Sequence, residues 1–263
     1  MNDTTVKKAA IVTGSSSGIG AATALKLAER GVNLIVNYRS NLSGARKIAA
    51  ECRALGVTSY VVKADVASDT QCQHIVDQCV ARLGRVDYLV NNAGTTKFVP
   101  HANLNGLSDQ DFQDIFRVNV IGAYQMTRAA APHLKASGAG SVVNVSSIAG
   151  VIGTGSSIAY AASKGALNTM TLSLARALGP EIRVNTVCPG FVQGDWLRDG
   201  MGAENYDATL SALEANNPLR RTATPEDVAE SIVMLLLGGG HVTGEILMTD
   251  GGQHLYGAPL KAR

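Results

Sequence analysis

Two side chains four positions apart, Tyr160 and Lys164, close a stretch that reads S-S-I-A-G-V-I-G-T-G-S-S-I-A-Y-A-A-S-K from Ser146 to Lys164. On one helical turn they share a face. A phenol beside an ammonium is an acid/base device, because the positive charge favours phenolate and draws down a pKa ordinarily near ~10. The serine pair at the start of the stretch adds hydroxyls. Alternation along a strand sends Ser146 and Ser147 to opposite faces, so one of them at most can meet the phenol.

Holding such a pair takes rigid elements, and strand-like and helix-like segments alternate along the whole chain. Strands are predicted at Ala9–Thr13, Leu34–Asn37, Ser59–Ala64, Val86–Val90, Ser141–Val145, Ile182–Val187 and Glu245–Thr249. The first is a continuous apolar run, as a parallel strand covered on both faces should be. Helices are predicted at Ser16–Arg30, with Gly31 to end it, and at Gly44–Leu55. Another starts at Ser68, where Gln71 gives a capping-box spacing. The segment Thr95–Leu107 reads as a loop. A long helix follows from Ser108 towards Lys135, with Pro132 expected to kink or restart it. The helix carrying Tyr160 runs to about Leu178, and a modest one covers Ala208–Ala215. Thr224-Pro225-Glu226-Asp227 opens the last helix with an N-cap, proline and acids in the first turn; a polar tail follows the last strand. The pattern predicts one α/β domain over residues 1–263: a Rossmann-type, doubly wound sheet of about seven mostly parallel strands with helices on both faces.

Composition narrows the function classes. The formal net charge of +2 comes with no basic cluster longer than Lys7-Lys8 or Arg220-Arg221, which argues against nucleic acid as a partner. The longest apolar run, Ile232–Leu237, is too short to span a bilayer, and no secretory signal is visible at the N-terminus. Cys52, Cys72, Cys79 and Cys188 form no C-x-x-C, so they read as buried thiols in a reducing compartment rather than a disulfide or metal site. A soluble cytoplasmic protein is expected.

The turn Thr13-Gly14-Ser15-Ser16-Ser17-Gly18-Ile19-Gly20 joins the first strand to the first helix. Glycines let the backbone approach a ligand closely, and the helix N-terminus favours an anion. In a doubly wound sheet a dinucleotide pyrophosphate sits here. At the end of the second strand, where NAD-binding sheets carry an acid for the ribose hydroxyls, this chain has Asn37-Tyr38-Arg39-Ser40. Arg39 suits a 2′-phosphate through a bidentate, charge-assisted pair, and Ser40 can donate a further bond. The predicted cofactor is NADP(H).

These motifs continue in an order that resembles the short-chain dehydrogenase/reductase family over nearly the whole chain, in the NADP-preferring branch near the 3-oxoacyl-carrier-protein reductases. After T-G-S-S-S-G-I-G come Asp65-Val66, N-N-A-G at Asn91–Gly94, Asn119, Ser147, Y-A-A-S-K at Tyr160–Lys164, and Pro189-Gly190. The resemblance implies roles. Lys164 would bind the nicotinamide ribose and, with the cofactor's charge, lower the pKa of Tyr160. Tyr160 would act as general acid in ketone reduction and as base in alcohol oxidation. Ser147 would polarise the substrate carbonyl, and Asn119 would anchor a water that relays protons from Lys164. Asp65 and Val66 would line the adenine. Asn92, Ala93 and Gly94 would pack near the adenosine ribose, with Tyr38 among the cofactor-binding residues beside Arg39. Pro189, Gly190 and Val192 would lie against the nicotinamide. Family members usually form tetramers, so a homo-oligomer is implied.

Two departures stand out. The family commonly carries a threonine four residues beyond Gly190 to hold the carboxamide, and here Gly194 occupies that place. Either Gln193 or Asp195 substitutes, or the carboxamide is held more loosely. Gly238-Gly239-Gly240-His241 also looks like a shortened connection, with consequences for subunit packing. The expected function is NADPH-dependent transfer of a hydride between the nicotinamide and a ketone or secondary alcohol. The alternative, a catalytically silent NADP(H)-binding sensor or structural subunit, conflicts with the intact Asn119, Ser147, Tyr160 and Lys164 set. A lid over 190–217 and the segments 95–105 and 148–157 would shape the pocket. A simple ketone, a sugar or an acyl thioester all fit as substrate.

Overall fold

The computed structural model describes residues 7–255; the polar N-terminal residues and the end of the polar tail lie outside them. Strand β1 (Ala9–Val12) is the axis of the sheet. Its alternate side chains serve two cores: Ala10 and Val12 face one, Ala9 and Ile11 the other. It pairs in parallel with β2 (Asn33–Tyr38) on one side and β4 (Tyr88–Asn91) on the other. With β3 (Ser59–Lys63), β5 (Gly140–Val145), β6 (Ile182–Pro189) and β7 (Ile246–Thr249) the order is β3-β2-β1-β4-β5-β6-β7. Among the described residues every strand pairing is parallel.

The helices are α1 (Gly18–Glu29), α2 (Leu42–Ala54), α3 (Asp69–Leu83), α4 (Asp109–Phe116), α5 (Ala123–Ala136), α6 (Ala149–Ile152), α7 (Ile158–Leu178), α8 (Asp195–Met201), α9 (Ala203–Asn216) and α10 (Pro225–Leu237). Leu27, Ile48, Ile232 and Leu236 bring α1, α2 and α10 against one face of the sheet. Ile75, Met126, Leu134 and Ala175 bring α3, α5 and α7 against the other. Strand order reverses between β1 and β4, and the carboxyl ends of the strands open there into a crevice.

Four local expectations change. The long helix is not interrupted at Pro132, which lies within α5 on its exposed side, where the carbonyl left without a proline N–H can meet water. The interruption is a π-helical segment, Arg117–Gly122, with buried Asn119 inside it. Ser68 does not cap α3 through its hydroxyl, and Gln71 instead accepts from the Asp65 amide at 2.8 Å. Helix α2 starts earlier than expected because Asn41, not a glycine, caps it by accepting from Gly44 N at 2.9 Å. The region after β6 holds two helices, α8 and α9, where the sequence predicts one. Thr224 caps α10 as expected, and Asp227 completes a capping box with it.

Candidate active site

The crevice is a cleft of about 1440 Å3 running from the α1 turn, past the ends of β4 and β5, to α8 and α9. At its phosphate end the backbone folds tightly. A β-carbon on Gly20 would come 2.5 Å from Asn92 Nδ2 and 2.6 Å from Gly14 O, so only glycine lets α1 start there. Thr13 ties the turn to β4: its hydroxyl accepts from the amides of Asn92 and Ala93 at 3.0 Å each. Asn92 answers by donating to Thr13 O at 2.8 Å and Gly14 O at 3.1 Å. Asn37 accepts from Gly14 N at 3.0 Å and donates to Val62 O and Ala64 O, which joins β2, β3 and the turn. Ser17 stands at the N-cap of α1 without a side-chain capping bond, so the helix presents amides to the cleft between Ser16, Ser17, Gly18 and Ile19. This is the chemistry a dinucleotide pyrophosphate requires, and the residues fit it.

At the far end of this half, Arg39 and Ser40 line the cleft together with Asp65 and Val66. The Arg39 guanidinium is 66 % exposed and reaches the Asp65 carboxylate only at 4.0 Å. A carboxylate therefore does stand near this corner, supplied by the end of β3 rather than by β2. Tyr38 does not line the cleft: it is buried in the core with Val36, because alternation along β2 sends it to the α1 face. Gly20 and Asn119 likewise sit behind the cleft wall.

The second half holds Ser147, Tyr160 and Lys164, the residues expected to do acid/base work. Tyr160 and Lys164 lie on the first two turns of α7, whose N-terminus is capped by Ser157 accepting from Tyr160 N at 3.2 Å. Lys164 Nζ sits 5.5 Å from the centre of the Tyr160 ring. It donates to Val145 O at the end of β5 at 2.8 Å, which leaves two of the three ammonium donors for the cleft. Ser146 faces away from the phenol: its hydroxyl donates to Lys164 O at 3.1 Å and locks α7 to the strand. Ser147 lies beside the phenol, with its hydroxyl 3.5 Å from Pro189 O and accepting from Ala149 N at 3.1 Å. Asn119 accepts from Thr95 N at 2.8 Å and donates to Thr95 O and Ser163 Oγ at 3.0 Å each. Gly94 borders this cluster, since a β-carbon there would lie 3.5 Å from Asn119 Oδ1 and 3.7 Å from Lys164 Nζ.

Burial governs the titration. It pushes the Tyr160 phenol up to about 12, partly offset by the Ser147 hydroxyl. It brings the Lys164 ammonium down to about 8. Desolvation is the largest cause of the rise in the phenol, whereas the expected lowering rests on Lys164 together with the charge of the cofactor. The four cysteines are free and buried, and burial raises each thiol to about 11 or 12, which makes them unreactive. Among the described residues no group of side chains could hold a metal ion, and no helix is long and apolar enough to cross a membrane.

Pro189, Gly190 and Val192 border the cleft opposite α7. Val192 bridges to Ala223, and Gln253 accepts from Phe191 N at 2.9 Å, so the last turn of the described chain holds this loop. Gly194 takes φ 150°, a conformation that threonine rarely adopts, and its amide donates to Tyr206 Oη at 3.3 Å. Gln193 donates to Thr222 Oγ1 at 3.0 Å. Sequence reasoning named Thr13 and Asn37 only as members of their motifs and did not name Gln253. Their types are common in turns, and only the pairing of distant strand ends shows their use.

The family model described as enoyl-(acyl carrier protein) reductase matches residues 14–254. Ketoacyl reductase 2 of the granaticin polyketide synthase of Streptomyces violaceoruber is 44% identical over 246 residues, 94% of this chain and 96% of that protein. The 3-oxoacyl-[acyl-carrier-protein] reductase of Staphylococcus aureus is 32% identical, with 94% of this chain and 98% of that one aligned. Among solved structures, a short-chain dehydrogenase/reductase from Burkholderia xenovorans superposes with a TM-score of 0.88 at 43% identity, covering 95% of this chain and 98% of that one. An NAD+-bound xylitol dehydrogenase gives a TM-score of 0.85 at 29% identity, covering 94% and 100%.

The lysine carries a stability consequence with a definite sign. Its native pKa of about 8 lies below the unfolded value, so between the two the unfolded chain binds more protons and stability rises with pH. The burial cost is fully present below about pH 8 and is relieved towards the unfolded pKa of ~10.4. Urea unfolding of the cofactor-free protein should therefore show wild type gaining about 2 kcal/mol on the Lys164→Met variant between about pH 7 and pH 9.5. Parallel curves for the two proteins would show that the ammonium is not desolvated.

Proposed function

Because the chain belongs to the short-chain dehydrogenase/reductase family of oxidoreductases, we propose that it is an NADPH-dependent reductase of ketones, reversible as a secondary-alcohol dehydrogenase. The observation that carries this reading is the placement of the Ser147 hydroxyl, the Tyr160 phenol and the Lys164 ammonium on one wall of a cleft whose other end is an open helix N-terminus. A bound nicotinamide cofactor supplies or accepts the hydride. The remaining work falls to the chain. The α1 amides, with Ser16, Ser17 and Ile19, bind the pyrophosphate, and Asp65 and Val66 flank the adenine. Asn92, Ala93 and Gly94 form the floor beneath the adenosine ribose. The two free donors of Lys164 hold ribose hydroxyls of the nicotinamide half, and Pro189, Gly190 and Val192 back the ring.

The carbonyl oxygen of the substrate takes hydrogen bonds from Ser147 and Tyr160 as charge builds on it. A phenol pushed up to about 12 is protonated at neutral pH, the state needed to give its proton to a nascent alkoxide. In the oxidative direction the same oxygen must first lose its proton, and Lys164 beside it, together with the positive charge an oxidised cofactor would bring, would lower the phenol's pKa. Asn119 is a positioning residue: its amide clasps Thr95 and Ser163 and so fixes the walls on either side of Lys164. The proton path to solvent implied by the family would start from that lysine.

Cofactor preference rests on Arg39 and Ser40. Loosely paired with Asp65 and mostly exposed, Arg39 can turn to a 2′-phosphate without breaking a strong bond. The whole chain acts as one domain in this reading, in the cytoplasm and as a homo-oligomer. Half-exposed apolar side chains at Ile121, Tyr124, Val151 and Ile152 support self-association; a monomer in sedimentation at working concentration would remove that part.

The experiment is NADPH oxidation across a panel of ketones and β-keto thioesters, with an enoyl thioester as the contrast. Tyr160→Phe should cost about 10²–10⁴-fold in turnover while calorimetry still detects cofactor binding. Retained turnover in that variant, or tight cofactor binding with no activity on any substrate in the wild type, would reject the assignment. Arg39→Ala should lower the preference for NADPH over NADH by about tenfold or more, since a charge-assisted hydrogen bond is lost. An unchanged ratio would reject the NADP(H) reading.

A further inference from the structure

Past Tyr160 the cleft ends in aromatic side chains that proton transfer does not require. Trp196, in the first turn of α8, remains 51% exposed while lining the cleft. Its ring centroid lies 5.7 Å from that of Phe98 and 6.1 Å from that of Tyr160, in both cases tilted. Phe98 owes its position to Gly200, where a β-carbon would overlap the Phe98 ring. Packing of the lid itself does not need the tryptophan. That role falls to Tyr206, which is 4% exposed, stacks 5.2 Å from Phe191 and is covered by the Arg198 guanidinium at 4.3 Å. Trp196 is thus held at the cleft mouth with a face left bare.

Charge points the same way. The side chains lining the cleft include two cations, Arg39 beside β2 and Lys164 buried under Tyr160. Its carboxylates are Asp65, next to Arg39, and Asp195, at the start of α8 beside Trp196. An anionic substrate would meet Asp195, whose neighbour Arg198 does not line the cleft and is already paired with Asp207, and a polyol would meet the bare Trp196 face. A flat apolar ring would lie against the exposed Trp196 face and be desolvated there.

Resting on the ketone-reductase reading, we propose that Trp196 and Phe98 form a specificity wall selecting neutral ketones whose carbonyl is fused or conjugated to a flat ring. The carbonyl lies at Ser147 and Tyr160, and the ring lies against Trp196, which touches the proton donor on its other side. Carboxylated and polyhydroxylated ketones are disfavoured at the same site.

Trp196 is the only tryptophan in the chain, so its fluorescence reports on this wall directly. The probes are α-tetralone as flat ring ketone, butanone as small neutral ketone and acetoacetate as anion. Wild type should turn over α-tetralone with a kcat/KM at least about tenfold above butanone, and α-tetralone should quench the tryptophan emission when butanone at the same concentration does not. Trp196→Ala should collapse the α-tetralone to butanone ratio by about tenfold, mainly through KM, and Trp196→Phe should restore most of it. Reduction of ketones with no quenching and an unchanged ratio in Trp196→Ala would overturn the wall and leave the reductase standing. A preference for acetoacetate would overturn it as well. Quenching by α-tetralone with no NADPH consumed on any ketone would support the wall and defeat the reductase reading.

Discussion

A buried ammonium is the constraint around which the site is built. Lys164 has exchanged bulk water for one carbonyl, Val145 O, and two open donors, at a depth where burial alone brings its pKa to about 8. A charge in that position is tolerable only with fixed partners close by. The surrounding chain fixes them from three directions: β5 brings the Val145 carbonyl, Ser146 locks α7 by its bond to Lys164 O, and Asn119 clasps the Thr95 loop and Ser163. Gly150 completes the arrangement, because any β-carbon there would collide with the backbone of Lys164 and push α6 off α7.

The same burial sets the state of the tyrosine. A phenol pushed up to about 12 stays neutral at ordinary pH and can donate its proton. In the proposed reading its acidity depends on charges that arrive with the cofactor, which would couple proton transfer to cofactor binding. A solvent-exposed pair with the same spacing would lack this coupling, since water would hold both groups near their ordinary values. The fold would support it by putting the α1 turn and the Tyr160–Lys164 wall of α7 along one crevice at the strand ends.

Much of this was legible in the sequence because the motifs mark strand ends, and strand ends in a doubly wound sheet converge. The seven strands, the Gly-rich turn, the preference for Ser147 over Ser146 and the cap at Thr224 all follow from alternation, glycine content and capping chemistry. The misses share a cause: they depend on partners far away in the chain. Pro132 looks disruptive in sequence, yet on an exposed helix face it disturbs little, whereas the π segment at Arg117–Gly122 has no composition signal and exists around the Asn119 clasp. Tyr38 and Arg39 are neighbours in sequence, but the pleat of β2 sends one to the core and the other to the cleft. Helix α8 is short and follows directly on Gly194, so it leaves no periodicity to read. The upward push of burial on Tyr160 was not legible, because a sequence shows which charges are near but not how much water is lost.

The central claim is that burial keeps Tyr160 protonated until the positive charge of the oxidised cofactor joins that of Lys164. Ultraviolet difference titration of wild type against Tyr160→Phe isolates this one phenol among the tyrosines. The account predicts that, without cofactor, phenolate appears only well above the ordinary ~10, and that saturating NADP+ moves the transition down by at least about one unit. A phenol that titrates near ~10 in both states, indifferent to NADP+, would contradict it.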